Sequence, residues 1–383
     1  MALLTAAQGI KAQTSQPAAP ADAAAPDESG AAVSAAPVPL TPTAWKFGQF
    51  SIGGMVDGYF DVGFNHPDDH VNELRNFDDR NNQLELNMAL LTLDYAPGPI
   101  GFHVDAGDGR AFDIMSSTEK DATDMRYFQQ AYIDVKPASW KGLELDFGRF
   151  VTFAGAEVIG TSNNWNYSRS LLFAWCIPYY NFGIRATAPV GSHFSTGVEM
   201  VAGWNNIVTG ATYRTAGWTG AWAPNPKVTW TNTYYGGPDE NTANRGMRNL
   251  YDTVVLLAPA PKTSFCLNFD YLHDAPHYTP AHQVYGVAGA AKFQLSRKLA
   301  LSPRAEWLND NAGMATGTGQ QVKEFTVSGT YALMDRLSWW LEFRDDWSNQ
   351  AFFNRGAGPA LGKNQPTALV GLVALVGPKR EAP

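Results

Sequence analysis

Carboxylates set in pairs, with a few arginines among them, are the residues of this chain whose types and spacing could do chemistry. Glu144 and Asp146 stand two residues apart, and so do Arg304 with Glu306 and Glu342 with Arg344. On a strand, residues two apart share one face at about 7 Å. That separation would suit the acid and base of a secreted glycosidase, or it would put charge on a wall facing water. Nothing around Glu144 or Asp146 marks one of them as a proton donor. The chain has no G-x-S-x-G elbow, no phosphate-binding or dinucleotide fingerprint, and no Ser, His and acid visibly set as a triad. His273, His277 and His282 gather with Asp274, but their spacing does not impose convergence on a metal, and they read as a solvated loop. The run His66–His70 (HPDDH) reads the same way. Cys176 and Cys266 fit no zinc or redox spacing and read as unpaired packing residues. No catalytic residue, metal or cofactor is expected.

The elements that hold these charges are strands. Val56, Phe60, Val62 and Phe64 alternate with Asp57, Tyr59 and Asp61. Phe102 and Val104 alternate with His103 and Asp105, and Ala131, Ile133 and Val135 with Gln130, Tyr132 and Asp134. The pattern returns with Leu143, Leu145 and Phe147 against Glu144 and Asp146, and with Val198 and Met200 against Glu199. Phe265, Leu267, Phe269 and Tyr271 oppose Cys266, Asn268 and Asp270. Ala305 and Trp307 oppose Arg304 and Glu306, and Trp339, Leu341 and Phe343 oppose Glu342 and Arg344. Period-two alternation means a sheet with one apolar and one polar face. A soluble sheet buries the apolar face. Here the polar face is often charged in both signs, as a water-filled lumen requires, which turns the apolar face to lipid.

Composition agrees. The 383 residues are 17% charged and 13% aromatic, with 36 Gly and 24 Pro to make turns, and no run of about 20 apolar residues supplies a helical span. A formal charge of −8 with no Lys/Arg cluster makes nucleic acid an unsuitable partner. Residues 14–43 are rich in Ala and Pro and read as a disordered leader. Residues 1–13 read as the remnant of a signal peptide, so residues 1–43 precede a barrel over 44–383. In lipid a sheet must close, since an open edge has no hydrogen-bond partner. The expected fold is therefore all-β, a closed antiparallel transmembrane β-barrel of about 16 strands, an even number. Short Pro-bearing breaks near Pro97, Pro137, Pro189, Pro224 and Pro259 read as periplasmic turns. The longer polar stretches between them, His66 to Asn82 and Glu157 to Ser170 included, read as outward loops. Trp204, Trp218, Trp222, Trp230, Tyr234, Tyr235, Trp307 and Trp347 bunch at strand ends and read as interface girdles.

The alternation points Asp57, Asp61, Asp105, Asp134, Glu144, Asp146, Glu199, Asp270, Glu306 and Glu342 into the lumen, together with Arg185, Arg304 and Arg344. The acidic excess points to mild cation preference; cross-strand pairing that stiffens the wall is the alternative. The most distinctive loop, Ala154 to Leu172, carries Glu157, Asn164, Trp165 and Arg169. Folded inward, it would constrict the pore and oppose Glu157 to basic wall residues; folded outward, it would cap neighbouring loops.

GRFVTFAGAEVIGTSNNWNYSRSLLFAWCIPYY (Gly148 to Tyr180), LYDTVV (Leu250 to Val255) and GTGQQVKEFTVSGTYAL (Gly317 to Leu333) resemble the OmpL-related β-barrel porin family, of the outer-membrane porin-2 type. The resemblance runs from about residue 50 to 376 and implies an outer-membrane channel of a diderm bacterium with no enzymatic activity. One departure is that the last strand is followed by GPKREAP, with no terminal aromatic residue. The expected partners are outer-membrane lipid and small polar solutes or ions, with a homo-oligomer left open. Two other readings stay open: a plugged structural or adhesive barrel, and a secreted β-sandwich that binds carbohydrate.

Overall fold

The computed structural model describes residues 44–117, 119, 124–208, 213–238, 246–275, 280–357 and 360–377. The expected leader, residues 1–43, lies outside the described residues, as does His277. Sixteen strands form one closed ring: β1 (Phe50–Gly63), β2 (Leu84–Tyr95), β3 (Ile100–Asp108), β4 (Phe128–Val135), β5 (Glu144–Val151), β6 (Tyr180–Val190), β7 (Phe194–Val201) and β8 (Thr215–Asn225), then β9 (Val228–Pro238), β10 (Met247–Ala260), β11 (Thr263–Ala275), β12 (His282–Gln294), β13 (Leu299–Asp310), β14 (Gln320–Met334), β15 (Leu337–Ser348) and β16 (Asn364–Val376). Each pairs antiparallel with its sequence neighbours. β16 closes on β1, from Thr367 opposite Gly63 to Val376 opposite Gly54. A short strand, Trp45–Phe47, pairs with the first residues of β1 where β16 has ended.

Period two governs which side chain points where. On β14, Glu324, Thr326 and Ser328 are buried inward while Phe325 is exposed outward. On β15, Glu342 and Arg344 point in while Leu341 and Phe343 point out. The Pro-bearing turns join strands at one end of the barrel, and the long loops project from the other. Closure is what lets an apolar outer face stand in lipid, because no strand edge is left unpaired.

Two of the girdle assignments are corrected. Tyr235 is fully buried inside the barrel, because its neighbour Tyr234 points outward and the two must face opposite sides. Trp204 lies beyond the end of β7 and packs against the interior cluster, with the Arg248 guanidinium 5.3 Å from its ring centre. Trp218, Trp222, Trp230, Tyr234 and Trp347 are exposed on the outer face.

Three loops fill the space the ring encloses or cover its rim. The β1–β2 loop runs outward through His66, Asp68, Asp69 and His70, which are exposed, then turns back so that Leu74, Arg75, Phe77 and Asp78 are buried. The expectation that His66 to Asn82 faces wholly outward therefore holds only for its first part. Leu74 and Phe77 take positive φ, at 60° and 78°, a conformation that bulky side chains rarely adopt. The β3–β4 loop carries the helix α1 (Arg110–Ser116), whose Ala111, Phe112 and Met115 are buried. The β5–β6 loop carries the short helix α2 (Leu171–Trp175), fully inside the ring. The largest apolar cluster is thus in the lumen. It joins Phe77, Tyr167, Leu171, Phe173, Tyr179 and Trp340, with Phe77, Phe173 and Tyr179 in mutual ring contact.

Candidate functional site

The site is the lumen where the β5–β6 loop crosses it. Its backbone cannot pair with a strand there, so side chains of the wall must satisfy its amides. They do so with carboxylates. The Tyr167 amide donates to Glu342 Oε2 at 2.8 Å and the Ser168 amide to Glu342 Oε1 at 3.1 Å. The Leu171 amide, at the start of α2, donates to Glu306 Oε2 at 2.9 Å, so a negative group sits at the helix N-terminus. Ser170 caps the same helix, its Oγ accepting the Phe173 amide at 3.0 Å. Earlier in the loop, Gly155 donates to Asp252 at 3.1 Å and Phe153 to the Tyr235 hydroxyl at 3.1 Å.

The four loop candidates lie together in this crossing. Glu157 turns one carboxylate oxygen to the Ser170 amide, 2.6 Å, and the other to Arg304 Nη1, 2.8 Å. Asn164 closes a turn on Val158, accepting its amide at 2.9 Å and donating to its carbonyl at 2.7 Å. Arg169 is wrapped by the loop itself and donates to the carbonyls of Val158, Tyr167 and Ile159. Burial pushes its guanidinium below the ordinary range, opposed by the nearby Glu157 and Asp57. Trp165 is half-buried.

All thirteen strand candidates lie on the inward side of the ring, and most are tied to a neighbour. Asp57 accepts the Tyr167 hydroxyl at 2.5 Å and Asn87 at 2.8 Å. Asp61 accepts Asn72 at 2.6 Å, with Arg75 at 3.7 Å. Asp105 faces His103 at 3.0 Å and Gln130 at 2.8 Å. Lys136 joins Asp134, 3.2 Å, and Glu144, 3.0 Å. Asp146 and Arg185 pair at 2.8 Å, with the guanidinium 4.2 Å from the Phe150 ring centre. Glu199 accepts Asn181 at 2.8 Å. Asp270 stands directly across from Asp252, with the Asn268 amide donating to both.

Arg304 is the hub. It reaches Glu157 at 2.8 Å, Glu306 at 3.0 Å and Glu324 at 3.4 Å, and donates to the Ser168 carbonyl at 2.9 Å. Arg344 donates to the Arg169 carbonyl at 2.7 Å and pairs with Asp346 at 2.8 Å. Arg75, from the β1–β2 loop, pairs with the same Asp346 at 2.9 Å and with Asp78 at 3.2 Å. Burial pushes the Asp78 carboxyl upward, opposed by Arg75. Sequence reasoning missed Arg75, Asp78, Tyr167, Asp252, Tyr235, Glu324 and Asp346. Glu324 and Asp346 carry the same alternation signal as their neighbours and could have been found by extending it. Arg75 and Asp78 had no local signal, because the turn back into the lumen is set by partners in distant strands. Cys266 is buried on the inward face and Cys176 is buried at the C-terminal cap of α2, and both are free. Asp274 pairs with Arg248 at 2.7 Å.

Solved structures with the same architecture include an anion-selective porin from Comamonas acidovorans, at 10% identity and TM-score 0.63, covering 85% of this chain and 99% of that one. Another is OmpT of Vibrio cholerae in a trimer form, at 10% identity and TM-score 0.57, covering 85% and 98%. A third is the outer-membrane channel DcaP of Acinetobacter baumannii, at 10% identity and TM-score 0.57, covering 86% and 99%. At such identity the likeness is one of fold. No curated protein sequence matches the chain. Residues 49–376 match the family described as "Putative beta-barrel porin-2, OmpL-like", and the chain belongs to this family of outer-membrane β-barrel porins, which are channels rather than enzymes.

Proposed function

We propose that this porin passes small polar solutes or ions by diffusion through a hydrated, mainly acidic lumen that favours cations, narrowed by the β5–β6 loop. The observation that carries the reading is the inward face of the ring, where acidic side chains outnumber basic ones while the outward face is apolar. Many of the inward carboxylates are paired with arginine or lysine, so the field left for a permeating ion is weaker than the number of carboxylates implies. That supports a mild rather than a strong preference. Glu157, Asn164, Trp165 and Arg169 belong to the narrowing segment. Glu157 acts there through its pair with Arg304, and Trp165 is the member least tied to the wall. Outer-membrane lipid covers the outer face, and one similar structure is of a trimer form, so assembly with further copies is part of the reading.

A second reading, a barrel plugged for a structural or adhesive role, is favoured by the apolar cluster of Phe77, Leu171, Phe173 and Tyr179 inside the ring. Conductance separates the two. Refolded protein in a planar bilayer under a KCl gradient should give stable open steps with a cation-selective reversal potential. A folded, inserted barrel that stays silent would remove the channel and leave the plug.

A further inference from the structure

The two ends of the barrel differ in charge. At the loop end the described residues carry both signs in near balance, with Asp68, Asp69 and Asp113 set against Arg80, Arg126 and Lys363. The short-turn end faces the periplasm in barrels of this class. There the turns joining β8 to β9, β10 to β11, β12 to β13 and β14 to β15 hold Lys227, Lys262, Arg297, Lys298 and Arg336, and a single acid, Asp335. The first four cations are exposed and Arg336 is half-buried, and none has an ion pair among the described residues. A solvated turn needs polar residues, but it does not need one sign of charge.

Four of these cations share one register position. The carbonyls of Lys227, Lys262, Lys298 and Arg336 accept the amides of Ala258, Gln294, Ala332 and Leu375, each on the next strand round the ring, at 2.8 or 2.9 Å. These bonds hold the four backbones at one level, so the side chains start from one height. In the hairpins of β2–β3 and β6–β7 the same position is Pro99 and His193, which accept the amides of Lys136 and Ala223. The row of Lys and Arg at this position thus belongs to the turns of β8 to β15. Just inside it the outer face is aromatic. Trp222 lies directly across from Trp230, and Tyr331 from Trp339, and all four rings are exposed. The first pair flanks the turn of Lys227 and the second that of Arg336. Trp and Tyr settle at a lipid–water interface, with an apolar body and a polar tip. From Trp230 to Lys227, or from Trp339 to Arg336, is a step of about 10 Å along the chain, which leads from the ring level into the headgroup layer.

We propose that the turn-end rim of β8 to β15 is a docking surface for anionic phospholipid of the periplasmic leaflet, its phosphates held by the row of cations and its chains lying against the Trp and Tyr pairs. The inference rests on the lipid-covered outer face of the proposed function, and it names the class of lipid and its seat. Neighbouring turns lie two strands apart, roughly 10 Å, so the long side chains of adjacent turns can reach one headgroup. A soluble anion would meet the charge alone, which salt screens, whereas a phospholipid meets the charge and the aromatic belt together. Each Lys or Arg beside an anionic surface raises affinity roughly fivefold, so three of them are worth about a hundredfold at low salt.

The test offers the full chain, folded in zwitterionic detergent, phosphatidylglycerol or phosphatidylcholine with the same acyl chains, and counts retained lipid by native mass spectrometry. Phosphatidylglycerol should be retained at least about tenfold more. Lys262→Gln, Arg297→Gln and Lys298→Gln together should abolish that preference. Arg80→Gln, Arg355→Gln and Lys363→Gln together, at the loop end, should keep it, and so should Lys262→Arg with Lys298→Arg. In a phosphatidylcholine bilayer, a trace of brominated phosphatidylglycerol should quench tryptophan more than the same trace of brominated phosphatidylcholine. That comparison on the parent decides the matter even where the turn variants fail to fold, and equal quenching overturns the inference. Equal retention of the two lipids also overturns it and leaves the rim to an acidic protein. Equal losses in the turn and loop variants would make net charge the cause, and displacement by soluble glycerol phosphate would make the rim a free-phosphate site; either sinks the proposal. Conductance is read separately: open steps without lipid preference keep the channel and remove the seat, and a silent barrel that retains phosphatidylglycerol does the reverse.

Discussion

Replacing Arg304 tests whether the lumen loop is held by charge. Arg304→Met keeps much of the stem and removes the guanidinium. It leaves Glu157, Glu306 and Glu324 buried together without the cation that reaches all three, and frees the Ser168 carbonyl from its donor. Breaking a buried ion pair by removing one partner costs about 3–5 kcal/mol. Two of those carboxylates cap the Ser170 and Leu171 amides, at 2.6 and 2.9 Å, so the cost falls on docking of the loop rather than on the strand ladder. At about 1.4 kcal/mol per decade, the undocked population should rise roughly a hundredfold to a few thousandfold. Hydrogen exchange followed by mass spectrometry reads that ratio directly, because exchange at protected amides reports local opening. Amides of residues 167–171 should exchange faster by that factor while those within β13 and β14 stay as in the parent. Arg304→Lys, which keeps charge without the planar fork, should fall between the two. Parent-like exchange at residues 167–171 in folded Arg304→Met would refute the reasoning. The loop would then be held by apolar packing alone.

Three further outcomes follow from the same geometry. Gly371→Ala puts a methyl against the Tyr167 ring at less than van der Waals contact, so the ring and its bond to Asp57 must shift; loss of about 1–3 kcal/mol should appear as a lower unfolding temperature in detergent. Tyr235→Phe removes the hydroxyl that accepts the Phe153 amide and the Asn181 side chain, both at 3.1 Å. A cost of about 1–3 kcal/mol should speed exchange at residues 153–155 roughly five- to a hundredfold and leave residues 167–171 unchanged. Reductant should alter neither gel mobility nor unfolding temperature, and a thiol reagent should label Cys176 and Cys266 only after unfolding, since both are buried and free; prompt labelling of the folded protein would contradict that burial.

What was legible in the sequence is what depends on near neighbours. Alternation along Phe265 to Tyr271 or Trp339 to Arg344 sorts inward from outward without reference to the rest of the chain. A Pro-bearing turn such as Pro97-Gly98-Pro99 reads from three residues. Tyr234 and Tyr235 show how the method fails. Bunched aromatics look like a girdle, but period two allows only one of two adjacent residues to face lipid, and the other must find polar partners inside. Applying the alternation rule to that pair would have exposed the error. The inward turn of Leu74 to Asn81 was not legible in any local pattern. Arg75 is settled by Asp346 and Thr367, 271 and 292 residues away, and a short polar stretch between strands looks the same whether it faces out or in.

The lumen combines two solutions that a soluble domain keeps apart. Its charged groups line a wall as if to meet water, yet the loops that cross it bring an apolar cluster of the kind found in a core. The loop backbones would be costly to bury between these two environments, because each unpaired amide costs about 1–3 kcal/mol. The wall carboxylates remove that cost: Glu342, Glu306 and Asp252 accept loop amides, and Arg304 and Arg344 compensate the charge while holding loop carbonyls. The inward acidic residues that would tune a permeating ion are therefore in part the same ones that hold the loop in place. A substitution at Glu342 or Glu306 should move selectivity and loop docking together, whereas Asp134 and Glu144, tied only to Lys136 of the wall, can change selectivity alone. Reversal potential and exchange at residues 167–171, measured on Glu342→Gln and Glu144→Gln side by side, would show the coupling in the first and its absence in the second. Equal loosening of the loop in both would mean that the carboxylates act through the general field of the lumen and not through the amides they touch.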